Sequence, residues 1–399
     1  MKKVLFGVVG WNIAETTRMI EVAKLLRSEY ECHFFSYGGK FEQLVEEAGF
    51  TLHHLKPVED DAKIQHLWKV DRGETFKQPW TLEELKQRIE NEIQLIDTIK
   101  PSFAFLGSVL SFSLSCRIKK VKLFNIVPLA LSRPYLEAGL PMSPFTPKFL
   151  NQIAVWILLN VPLVMGNFRK VSKLYGLKPP KNAFEVWTGD INIVTDVKEL
   201  SMLQSLPKNW YFSGPLFAHL DTPIPENIKV LLETTDKPKI YFAMGSSANH
   251  HVLRKTLEGF YGLDVVVVAP IKSHLKQDDV VPKNVYVTDW LPALEVLKHV
   301  DIAVTHGGQG TVQTNIAAGV PFLGIGMQPE QSLNIYQSVK FGNALQIQKK
   351  KVNKHNVKEA ILKLLSEDEY RKRALLAKSM MEQINVSKII VDIIKQNTL

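Results

Sequence analysis

The chain has 399 residues, 45% of them hydrophobic and 22% charged, which is ordinary globular usage and enough for two domains that each bury a core. Two cysteines, Cys32 and Cys116, exclude a disulfide scaffold and fit a reducing cytoplasm, and no Cys/His cluster has the spacing of a structural zinc site. The net charge of +9 suits anionic substrates or an acidic membrane surface; without a recognition motif beside it, nucleic acid is not an expected partner.

Residues 1–10 read as a buried first strand and not as a signal peptide. The apolar run is short, and Trp11, Asn12 and Glu15 follow where a small-residue cleavage site would stand. A cytoplasmic location is therefore expected. Met19, Val22, Ala23 and Leu26 recur at helical spacing over residues 15–27. Residues 32–37 are strand-like and 41–48 helical. Leu85, Ile89, Ile93 and Ile96 share one face of a helix over residues 82–99, and residues 103–106 and 123–127 read as further buried strands. Residues 149–166 approach membrane length, but Asn151, Gln152, Asn160 and Pro162 interrupt them. They are expected to form a core or acceptor-groove helix in preference to an interfacial anchor.

The second half repeats the alternation. Strands are expected at 239–244, 265–269, 285–288 and 302–305, with helices at 251–260, 293–298, 311–318 and 356–365. Alternation of this kind implies parallel sheets with helices on both faces. Residues 220–226 are rich in turn formers, so the division expected is an N-terminal domain over 1–220 and a C-terminal one over 221–399. A last helix near 370–396 is the element that could return to the first domain.

The chemistry concentrates in residues 284–334. The strand at 302–305 leads into His306-Gly307-Gly308-Gln309-Gly310-Thr311 and then a helix. Glycines there let a phosphate approach the backbone, whose free N–H groups and helix dipole stabilise its charge. Alone, such a turn serves packing as readily as binding. Its context is more specific: Trp290-Leu291-Pro292 precedes it, and Gly319-Val320-Pro321 and Glu330-Gln331-Ser332-Leu333-Asn334 follow. This order resembles the donor-binding signature of family-1 glycosyltransferases of the GT-B fold, which have two Rossmann-like doubly wound domains facing a central cleft. Weaker matches at 160–177, 191–215 and 241–246 extend the resemblance along most of the chain.

The resemblance implies an inverting, metal-independent transfer of a hexose from a UDP- or dTDP-linked donor to a small hydrophobic or acidic acceptor, a lipid among the candidates, with no cofactor. It implies that Trp290 stacks on the nucleobase, and that His306, Gly308, Gly310, Thr311 and Ser246 hold the diphosphate. Glu330 and Gln331 would bond the sugar hydroxyls, and Asn334 would steady their loop or touch a phosphate. The resemblance places acceptor binding in the first domain, where the loops over 56–79 and 133–149 are rich in Pro, Trp and Phe.

Three departures from the family pattern stand out, the last of them a pair. Thr314 stands where a ribose-chelating Glu is frequent, and Ala293 where a Gln is, which leaves UDP and dTDP both open. Glu15 stands where the catalytic His is usual, and residues 106–108 (Leu-Gly-Ser) lack the Asp that orients it. Glu15 is then either a general base or a helix-start carboxylate. The missing pair also keeps open a nucleotide-sugar-binding protein without transferase activity.

Overall fold

A computed structural model describes residues 1–71, 73–141, 143–216, 222–245 and 249–398. Seven strands form the first sheet: β1 (Lys2–Gly7), β2 (Tyr30–Ser36), β3 (Thr51–His54), β4 (Phe103–Phe105), β5 (Leu123–Val127), β6 (Ile191–Val194) and β7 (Trp210–Phe212). Six form the second: β8 (Lys239–Ala243), β9 (Val266–Ala269), β10 (Val285–Val287), β11 (Ile302–Thr305), β12 (Phe322–Gly324) and β13 (Ala344–Gln346). The spatial orders are β3-β2-β1-β4-β5-β6-β7 and β10-β9-β8-β11-β12-β13, and every pair runs parallel. Counted within its own domain, the second sheet has the order 3-2-1-4-5-6 of a doubly wound fold, and the first has the same order with a seventh strand added at the edge.

The strands are apolar on both faces because helices cover both. In the first sheet Phe6 stacks between Phe34 and Phe105, each ring 4.7 Å away. The helix Leu82–Ile99 begins at a capping box in which Thr81 and Glu84 satisfy each other's backbone N–H groups. Of the two roles expected for residues 149–166, core or acceptor-groove helix, the core one does not hold. The helix spans Lys148–Asn160, buries little more than Asn151 and Val155, and turns Phe149, Leu150, Ile153 and Trp156 outward. Among the described residues no helix is long and apolar enough to cross a membrane.

The expected linker at 220–226 begins in residues 217–221, which lie outside the described residues. The last expected helix is two. Asp368–Glu382 packs Ala377 and Met381 into the second domain, whereas Val386–Thr398 places Ile390, Ile393 and Ile394 in the core of the first. The chain thus passes between domains twice. The passages touch: a Cβ on Gly214 would sit 2.6 Å from Ile384 Cγ2 and 3.2 Å from Val386 Cγ2.

Candidate active site

Both sheets present their site at the same topological place. In a doubly wound sheet the crevice lies at the carboxyl ends of the two strands where winding reverses, here β1 with β4 and β8 with β11. The loops leaving β1 and β4 carry Glu15 and Ser108; those leaving β8 and β11 carry Gly245 and the His306 turn.

In the first domain, Asn12 caps the helix Ile13–Leu26 by accepting from the N–H groups of Ala14 and Glu15, which fixes Glu15 in its first turn. Beyond β4, Gly107 adopts φ +50°, and a Cβ there would lie 1.7 Å from the Gly7 carbonyl oxygen. Only glycine fits that approach. Ser108 follows at φ +65°, a left-handed conformation that is costly for serine. The strained turn aims its hydroxyl at Glu15 Oε2, 2.8 Å away. Glu15 Oε1 meets Arg18 Nη1 at 2.8 Å. The two positions that depart from the His/Asp pattern are therefore hydrogen-bonded partners.

In the second domain, His306 follows the end of β11 and lies flat between two glycines. A Cβ on Gly245 would sit 2.4 Å from its Cε1, and one on Gly308 would sit 2.7 Å from its Nε2. Burial pushes its pKa down to about 4, His274 nearby adds to the effect, and the Ala243 carbonyl opposes it. The ring is neutral at pH 7 and offers a hydrogen bond without a charge; its buried Nδ1 has no partner among the described residues. His274, whose own pKa is lowered by burial, was not singled out by sequence because no motif frames it. A Cβ on Gly310 would meet nothing within 4 Å, so the helix Gln309–Ala318 starts beside open space. Ser246, expected on the opposite side, lies outside the described residues.

Trp290 is 47% exposed and is not a core side chain. Thr311 and Thr314 are half-buried on the helix, and Thr314 Oγ1 donates to the Gly310 carbonyl at 2.7 Å. The segment after β12 is internally tied. Gln331 Oε1 accepts from Met327 N–H at 2.9 Å, and Asn334 Nδ2 donates to the Gly307 carbonyl at 3.1 Å and to Glu330. Asn334 thereby fixes the glycine turn, and its bond to Glu330 orients that carboxyl. Burial raises the Glu330 pKa to about 7; Asn334 and Arg18 oppose the rise, while Asp196 and Asp71 add to it.

Sequence reasoning passed over Gln309, a variable position of the glycine turn. Its Nε2 donates to Asp196 Oδ2 at 2.9 Å and Thr195 Oγ1 at 3.1 Å, just past β6, and its Oε1 accepts from Arg18 Nη2 at 3.0 Å. Gln313, one turn on, donates to the Thr195 carbonyl. Asp196 also accepts from Leu129 N–H at 2.8 Å, and burial raises its pKa. These bonds bring the Glu15–Arg18 pair up to the start of the donor-side helix.

Residues 254–395 match the family described as Erythromycin biosynthesis protein CIII-like, C-terminal domain. A PGL/p-HBAD biosynthesis glycosyltransferase of Mycobacterium tuberculosis (strain H37Ra) is 27% identical over 384 residues, 94% of this chain and 87% of its own. A PGL/p-HBAD biosynthesis rhamnosyltransferase of Mycobacterium bovis is 25% identical over 94% and 83% of the two chains. The glycosyltransferase VinC, solved in complex with dTDP, has a TM-score of 0.72 at 14% identity, over 98% of each chain. Two sheets wound in the same way, the glycine-turn signature between them and these similarities support a family-1-like glycosyltransferase of the GT-B fold. The chain is accordingly a glycosyltransferase, which favours transfer over binding alone.

Proposed function

We propose that the protein transfers a hexose, with inversion, from a dTDP-linked donor to an acidic hydroxyl of a hydrophobic acceptor. Residues 221–399 would bind the donor and residues 1–220 the acceptor. The observation that carries this reading is the open space at Gly310 at the start of the helix Gln309–Ala318, in the same turn as a neutral His306. That shape and polarity suit a diphosphate.

In this reading the acceptor oxygen attacks the anomeric carbon from the first domain as the bond to the β-phosphate oxygen breaks. The diphosphate leaves with the bonding pair, its charge stabilised by the N–H groups of Gly310 and Thr311 and by His306. Trp290 stacks on the base, and Glu330 and Gln331 bond the sugar, the latter by exchanging its Met327 contact. Ser246 would close the phosphate site. Thr314, already donating to Gly310, offers no bidentate grip on a ribose diol. This supports dTDP over UDP, as do the dTDP complex of VinC and the rhamnosyl specificity named for the mycobacterial relative.

Glu15 takes the acceptor proton. Arg18 and Ser108 occupy one site on each carboxylate oxygen, and a carboxylate offers about four, so an acceptor hydroxyl can add a third bond. An acceptor that parts readily with its proton, such as a phenol, asks least of a carboxylate base. The two cysteines, both free and buried, support a cytoplasmic reaction. The test is a melting-temperature and hydrolysis screen of dTDP-, UDP- and GDP-sugars against wild type and His306→Ala. Stabilisation and slow hydrolysis with a dTDP-sugar, both lost in the variant, are expected. A preference for UDP-sugars would overturn the donor assignment, and no response to any sugar would overturn the site.

A further inference from the structure

The helix Lys148–Asn160 belongs to no part of the site described above, yet it carries a run of exposed apolar side chains. Phe149 and Trp156 are each 61% exposed and Ile153 53%, with Leu150 and Phe145 beside them. Positions 149, 153 and 156 fall on one side of the helix at successive turns. Isolated exposed apolar residues are ordinary, but a contiguous stripe with two aromatics marks an interaction surface.

Charge identifies the occupant. From Ala138 to Phe184 the chain has no acidic residue and six basic ones: Lys148, Arg169, Lys170, Lys173, Lys178 and Lys181. Lys148 opens the helix itself. At its other end Asn182 Nδ2 donates to the Leu159 carbonyl, which ties the turn bearing Lys178 and Lys181 to the last helical turn. Lys178 in turn lines a surface pocket with Arg117, Lys120, Lys122 and Arg133, where Glu185 and Asp190 are the acidic members. Arg133 starts the short helix Arg133–Glu137, which packs on Lys148–Asn160. An apolar, aromatic helix face that carries no carboxylate of its own and is bordered by lysines matches the headgroup region of an anionic bilayer. A second copy of the chain would bring its own lysines to face these.

We propose that this face seats the enzyme on an anionic membrane surface, Phe149, Ile153 and Trp156 entering the acyl boundary while Lys148, Lys178 and Lys181 meet the headgroups. The other side of the helix explains why docking here serves the reaction. Val155 and Leu159 pack with Leu129, Tyr135 and Leu136, and that cluster includes Leu333 of the donor-side helix Pro329–Phe341. A membrane held on the outer face therefore lies one helix away from the cleft. This deepens the reading of a hydrophobic acceptor but does not need the donor assignment.

The test is co-sedimentation of the full chain with phosphatidylglycerol and with phosphatidylcholine vesicles, beside the exposed-face variant Ile153→Glu/Trp156→Glu. The expected result is binding to phosphatidylglycerol at least tenfold stronger than to phosphatidylcholine. Brominated lipid should quench tryptophan emission, and both signals should be lost in the variant while its melting temperature and solution donor hydrolysis stay at wild-type values. Lys178→Gln/Lys181→Gln should weaken binding to phosphatidylglycerol alone. Equal binding by wild type and the Glu variant, or none by wild type, overturns the proposal. A dimer seen by light scattering that the Glu variant splits would assign the face to a second copy and overturn it as well.

Discussion

Arg18 Nη2 and Gln309 Oε1 lie 3.0 Å apart though 291 positions separate them in the chain. Because Gln309 also holds Thr195 and Asp196, one side chain of the glycine turn connects to both first-domain edges of the cleft. Gln309→Ala should remove these bonds and leave a half-buried carboxylate one donor short. At about 1–3 kcal/mol for a bond to a charged group, thermal unfolding should occur several degrees lower and kcat should fall. Wild-type stability with wild-type turnover would show that the domains do not depend on this bond.

Two glycines of one motif should respond differently to the same change. In Gly308→Ala the new methyl group meets the His306 ring at 2.7 Å, whereas in Gly310→Ala it enters open space. Both should weaken donor binding at least tenfold. Only the first should also lower the melting temperature, because it displaces a buried ring. Calorimetric titration with a dTDP-sugar beside thermal unfolding separates the cases, and full donor affinity in Gly310→Ala would mean that the space is not the phosphate site.

Trp290→Ala removes a side chain that is already half in solvent. Stability should change by no more than about 0.5 kcal/mol, while donor binding loses roughly 1–3 kcal/mol of base stacking. Equal affinity of wild type and variant for dTDP would remove Trp290 from the base site.

Glu330 and His306 should pull stability in opposite directions with pH. Glu330, near 7 when folded against 4.5 in the unfolded chain, is protonated only in the folded state between those values. Its contribution therefore shrinks as pH rises from 4.5 to 7. His306, near 4 when folded against 6.5 unfolded, is protonated only in the unfolded state between them, so its contribution grows as pH rises from 4 to 6.5. Each slope is at most about 1.4 kcal/mol per pH unit, and over their common range they offset. Glu330→Gln should make stability climb more steeply from pH 5 to 6.5 than in wild type. Matching slopes in urea unfolding would show that Glu330 is already ionised at pH 5.

Ser108→Ala and Glu15→Gln probe the paired departures at the base position. If Glu15 accepts the acceptor proton, Glu15→Gln should lower kcat by about 10²–10⁴ with little change in the dissociation constant of the donor. Ser108→Ala should lower it less, because it loses orientation alone. Retained turnover in Glu15→Gln at raised pH would assign the carboxylate to holding Arg18.

The parts of the molecule legible in its sequence were those whose chemistry is local. The helix Leu82–Ile99 matches its expected range, since its apolar repeat and capping box are written in adjacent residues, and the strand over Leu123–Val127 does so through an unbroken apolar run. The strand Thr51–His54 carries two histidines at the sheet edge and has no apolar run to betray it. The three-residue strands Phe322–Gly324 and Ala344–Gln346 are too short for periodicity to register. The glycine turn could be located because its glycines fall close together directly after an apolar strand. Gln309 could not, because its meaning comes from Arg18, Thr195 and Asp196, which the fold alone brings to it. The outward face of Lys148–Asn160 was misjudged for the opposite reason. Apolar content forecasts burial, and here it forecasts a surface that the chain itself leaves uncovered.

The two passages of chain between the domains touch where Gly214 meets Ile384 and Val386. A pair of lobes joined by one strand of linker can swivel and twist in any direction. Joined at two places that touch, the lobes lose part of that freedom, and a larger side chain at Gly214 would act on both connections at once.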